Sequence, residues 1–163
     1  MSALLADAAV CYCLYLALLA PRWRNLPGRP FLRRCVFFWY LTALLLLTLS
    51  PVVTALPHLG SFPYRPMNLS LFRDLRLGYG DAGRQLLLNI LLFAPFGFLL
   101  PQGRRETLWR AGLWSLGLSL AIELLQPALS PWRRSDCTDV FANTLGGILG
   151  GCAGQIRRLE KMD

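Results

Sequence analysis

The chain has 163 residues, 55% of them hydrophobic and only 16% charged, against roughly 25% charged in ordinary globular domains. Its formal net charge is +8, yet no basic segment is interleaved with stacking aromatics, so the excess is read as loop charge of a membrane protein and a nucleic-acid partner is excluded. With one histidine, His58, and five cysteines that lie mostly in apolar blocks, neither a His/Cys zinc site nor a disulfide framework is expected, and no cofactor is called for.

The apolar residues fall into five blocks in chain order: Ala3–Ala20, Cys35–Leu56, Gln85–Pro101, Leu108–Gln126 and Cys137–Gly154. About 20 helical residues cross a hydrocarbon core of roughly 30 Å. The blocks therefore predict an all-α, polytopic transmembrane helical bundle of about five spans, with the lipid bilayer as its first partner. The first block is read as a retained span. No basic residue precedes Asp7, and Ala17–Ala20 followed by Pro21 is a poor cleavage context. Residues 1–56 then form two N-terminal spans, 57–84 a loop, 66–154 a three-span domain and 155–163 a tail.

Loop charge sets the expected orientation. Loop one (Arg22, Arg24, Arg29, Arg33, Arg34), loop three (Arg104, Arg105, Arg110) and the tail (Arg157, Arg158, Lys161) place eleven basic residues on one side. Loop two (Arg65, Arg73, Arg76, Arg84) and loop four (Arg133, Arg134) place six on the other. By the positive-inside bias the N-terminus is outside and the C-terminus cytoplasmic. In loop two, Leu69, Phe72 and Leu75 are spaced for a short amphipathic helix in the interface, with Asn68 as its expected N-cap.

Polar residues inside spans are costly and tend to be functional. Asn89 lies near the start of span three. Glu123 and Gln126 share a face at the end of span four, with Ser119 one turn away. Asp139 and Asn143 share a face at the start of span five. Because successive spans alternate in direction, Asn89, Glu123 and Asn143 all come within roughly 10 Å of one membrane surface. Loop four adds Arg133, Arg134 and Asp136 at that surface, and the charge bias makes it the extracytoplasmic one.

Such a constellation suits a site for a lipid or cell-wall precursor head group. The arginines would hold a phosphate or carboxylate, and the acids and amides would bind polar groups or act as acid and base. The competing reading is structural, in which the amides only tie helices together. No nucleophile–base pair is visible, so the sequence leaves open whether any reaction is catalysed. Gly146, Gly147, Gly150 and Gly151 give span five a small-residue face for close packing, either on a neighbouring span or on a partner membrane helix. Pro95 and Gly97 suggest a kink in span three.

The segment from Pro66 to Gly151 resembles the VanZ-like family. The resemblance rests on Asn68–Phe72, on the run Asn89-Ile90-Leu91-Leu92-Phe93-Ala94-Pro95-Phe96-Gly97, on Ser119–Gln126 with Glu123, and on Asp136–Gly147 with Asp139 and Asn143. Cys137 departs from it conservatively, standing where an aliphatic residue is more usual. The resemblance implies a bacterial cell-envelope protein of the cytoplasmic membrane. The family's namesake is associated with resistance to teicoplanin.

Overall fold

The computed structural model describes residues 2–61, 63, 65–100 and 107–159. Among these the chain is helical, and the one strand-like pairing is an isolated parallel bridge between Asn68 and Asp136. Loop-three residues Arg104 and Arg105, and Lys161 of the tail, lie outside the described residues. The chain divides into two compact units, Met1–Pro63 with Ala128–Pro131, and Tyr64–Pro127 with Trp132–Asp163.

The first unit opens with α1 (Ser2–Leu14), a π-helical stretch (Tyr15–Leu19) and α2 (Ala20–Trp23), which together form one apolar helix over Ala3–Trp23. A short turn ending at Pro27 leads into α3 (Gly28–Leu49). This helix starts and stops earlier than the expected Cys35–Leu56 block. Arg29, Arg33 and Arg34 are helical instead of lying in a loop, since long basic side chains can reach polar surroundings from a helix end. Pro51 fixes the other end, because the residue before a proline is driven out of the α region. Ser50 there is extended, at ψ 141°. Tyr15 meets Phe38 and Trp39, each with ring centroids 5.4 Å away.

Asp7 is buried at 4% exposure. Its two carboxylate oxygens accept the backbone N–H groups of Val52 (2.8 Å) and Val53 (2.7 Å). These two amides follow the end of α3 and have no intrahelical acceptor, and a charged acceptor is a strong partner for them.

The second unit holds α4 (Arg73–Leu77), α5 (Ala82–Leu99), α6 (Thr107–Leu129) and α7 (Cys137–Leu159). Gly78 and Gly80, at φ +66° and +52°, make the left-handed turn between α4 and α5. Pro95 lies inside α5, which continues to Leu99. Among the described residues, four helices are long and apolar enough to cross a membrane: those over Ala3–Trp23, Gly28–Leu49, Ala82–Leu99 and Leu108–Leu129. The fifth expected span, α7, has the length, 23 residues, but its glycines, Asp139 and Asn143 lower its hydropathy. It also runs on to Leu159, so the expected tail begins as helix.

Glycines set how closely α7 approaches its neighbours. A Cβ on Gly146 would sit 2.2 Å from the Ile90 carbonyl oxygen, and one on Gly150 would sit 1.7 Å from that of Ala94. A Cβ on Gly97 of α5 would meet the Gly147 carbonyl oxygen at 1.9 Å, and one on Gly147 would meet Ser115 Oγ of α6 at 1.8 Å. Gly151 is buried as well. The small-residue face of α7 is therefore in backbone contact with α5 and reaches α6.

Candidate functional site

Loop two and loop four are laced together at the ends of α5, α6 and α7. Asn68 N–H donates to the Ser135 carbonyl (2.9 Å), and Cys137 N–H donates to the Asn68 carbonyl (3.0 Å). The Asn68 amide donates to Asp136 Oδ2 at 2.8 Å. Asp136 Oδ1 accepts Thr138 N–H at 2.7 Å, the N-cap geometry for α7. Asn68 does not cap the loop-two helix as expected. That helix begins only at Arg73 and has five residues, and the Asn68 side chain accepts Ser70 N–H in a local turn. The amphipathic stretch thus shrinks to α4, and Leu69 stays 79% exposed.

Glu123 is buried at 2% exposure. Its Oε2 accepts Asp136 N–H at 2.9 Å, and its backbone carbonyl accepts the Ser135 hydroxyl. It therefore positions loop four from beneath. The Asn89 amide donates to Asp139 Oδ1 (2.7 Å), joining α5 to α7. The Asn143 amide donates to Ser119 Oγ (2.8 Å), joining α7 to α6. Asn143 Oδ1 and Ser115 Oγ are buried without a hydrogen-bond partner among the described residues. Glu123, Asn68, Asp136, Asp139 and Asn89 are thus linked in one hydrogen-bonded set, while the Asn143–Ser119 pair stands apart from it, further along α7.

Above this set lies a cavity of about 220 Å³. Of the expected site residues, Asn68, Arg134, Asp136 and Asp139 line it. Glu123, Asn89, Asn143, Gln126 and Arg133 do not, though Glu123 and Asn89 bond the lining residues Asp136 and Asp139. Sequence reasoning missed Arg73, Asp74, Gln85 and Thr138 as wall residues.

Phe72 is a further lining residue, held at φ +56°, a left-handed conformation that costs a bulky side chain about 1–2 kcal/mol. Its N–H donates to Thr138 Oγ1 (2.9 Å), and its ring meets Phe141 edge-on with centroids 5.4 Å apart. Strain held in place by surrounding contacts concentrates at functional sites.

The charges on the wall are mixed. Arg84 pairs with Asp81 at 3.6 Å and Arg76 donates to the Leu71 carbonyl at 2.9 Å. The Arg73 and Arg134 side chains, which face the cavity, make no hydrogen bond or ion pair among the described residues. Guanidinium groups left unpaired at a cavity can bind an anion through two parallel N–H bonds.

A sequence profile of the VanZ/LLP1 family matches residues 37–156. Protein VanZ of Enterococcus faecium is 31% identical over 120 residues, which span 73% of this chain and 71% of that protein. No solved structure matches the chain.

Proposed function

The chain belongs to the VanZ/LLP1 family of membrane proteins, and on that premise we propose that it binds the polar head group of a lipid or cell-wall precursor in the loop-two/loop-four cavity. The observation that carries this reading is the pair of unpaired arginines, Arg73 and Arg134, on a cavity wall at the ends of apolar helices. Apolar helix exteriors suit acyl chains, and the arginines suit the phosphate or carboxylate they carry. Asn68, Asp136 and Asp139 contribute polar contacts. Glu123 and Asn89 position Asp136 and Asp139, and Asn143, Gln126 and Arg133 complete the polar cluster. The protein works in the bacterial cytoplasmic membrane with its N-terminus outside and its C-terminus cytoplasmic, so that the cavity faces the cell envelope. The basic-residue bias of the loops supports that orientation.

The test is mass spectrometry of the full chain extracted from membranes, with and without the double change Arg73→Gln, Arg134→Gln. Phosphate-bearing lipid or precursor should co-purify with the parent and be depleted from the variant. Equal retention at equal protein yield would sink the proposal. A role in teicoplanin tolerance is checked by the susceptibility of a host expressing either form.

A non-catalytic accessory role is the second reading. It is favoured by the bonds Asn143–Ser119 and Asn89–Asp139, which join helices to one another, the first of them between residues that do not line the cavity. Under it, loss of phenotype tracks loss of folded protein in every variant.

A further inference from the structure

We propose that the head group taken by this cavity is zwitterionic, a phosphate ester joined to a primary ammonium, with the phosphate at Arg73 and Arg134 and the ammonium at Asp74 and Asp139. The inference rests on the head-group reading above and narrows it.

The wall carries three carboxylates, Asp74, Asp136 and Asp139, beside its two guanidiniums. A plain phosphate would gain the arginines but face the acids. A plain cation would gain the acids but face the arginines. A ligand with both charges satisfies both halves of the wall, and like-charge contacts are what such a site rejects.

The state of each carboxylate sharpens the assignment. Both oxygens of Asp136 already accept N–H groups, one from Thr138 and one from Asn68, so its role is to build the wall. Asp139 spends only Oδ1, on Asn89, and no described residue donates to Oδ2. The Asp74 side chain is exposed and makes no hydrogen bond or ion pair with the described residues. Two acids are therefore left with acceptor capacity, and a primary ammonium brings three donors.

Size agrees. A cavity of about 220 Å³ has room for a group of a few non-hydrogen atoms, and phosphoethanolamine has about eight. Phe72, Leu75 and Leu86 supply an apolar side to the same wall for the ester and glycerol carbons.

Calorimetry on the purified full chain tests this with four probes. They are short-chain phosphatidylethanolamine, phosphatidylglycerol and phosphatidylcholine, and tail-free phosphoethanolamine. Phosphatidylethanolamine should bind about tenfold or more tighter than phosphatidylglycerol, which lacks the ammonium, and than phosphatidylcholine, whose quaternary nitrogen has no N–H. Asp74→Asn, at an exposed position, and Asp139→Asn should each shrink that preference, while Arg134→Gln weakens all phosphate ligands together. Binding of tail-free phosphoethanolamine within tenfold of the lipid supports recognition of the head group from either a lipid or a soluble source. Much weaker binding supports a lipid source.

Equal binding of the ethanolamine and glycerol lipids, or of the ethanolamine and choline lipids, overturns the inference and leaves the head-group reading standing. An unchanged preference in a well-folded Asp74→Asn and Asp139→Asn pair does the same. No binding of any probe overturns both.

Discussion

Asp136 carries three connections through one residue: its Oδ1 caps α7, its Oδ2 holds Asn68, and its N–H is held by Glu123. Asp136→Ala should lower stability by about 1–2 kcal/mol for the cap alone, read as a fall in thermal midpoint, and Asp136→Ser should recover part of it. Glu123 separates charge from hydrogen bonding. Glu123→Gln keeps an oxygen that can accept Asp136 N–H and should leave the midpoint nearly unchanged. Glu123→Ala leaves that amide without its acceptor and should cost about 1–3 kcal/mol. A Glu123→Gln protein that melts like the alanine variant would refute this positioning role.

At the scale of elements, the contact of α5 with α7 is a glycine seam, and its tolerance for volume is close to nil. Gly150→Ala would put a methyl 1.7 Å from the Ala94 carbonyl oxygen. Such overpacking costs about 1–3 kcal/mol or more and should appear as lost folded protein on size-exclusion chromatography in detergent. Gly117→Ala on α6 is the matched control, because nothing lies within 4 Å of its Cβ position. There the change should be neutral or stabilising by up to about 1 kcal/mol, as alanine favours helix over glycine.

The seam was legible in sequence because small residues at helical spacing repeat along one short segment. The long apolar helices were legible for the same reason, since hydropathy is a local property. What was not legible is what joins distant segments. Asp7 finds its amide partners at Val52 and Val53, and Asn68 finds Asp136, with nothing local to either residue announcing the pairing. Arg73 and Gln85 reach the cavity only because the left-handed turn at Gly78 and Gly80 folds α4 back beside α5.

For the whole molecule, the proposed orientation rests on the charge bias of the loops and is tested directly. Arg134→Cys at the cavity and a cysteine in place of Arg22 should react oppositely with a membrane-impermeant thiol reagent on intact cells, once the native cysteines are replaced by serine. Labelling of the Arg134 position from outside is expected. Labelling of the Arg22 position in its stead would invert the topology and turn the cavity toward the cytoplasm.

The bridge between Asn68 and Asp136 also fixes an order of manufacture. Its two ends are separated by 68 residues. At roughly 5–20 residues per second, the ribosome releases the second several seconds after the first. During that interval α5 and α6 are made while loop two has neither its partner strand nor the cap of α7. The cavity is therefore completed only once loop four and the first turn of α7 have been made. A nascent chain stalled before loop four should carry the apolar helices α5 and α6 but bind nothing.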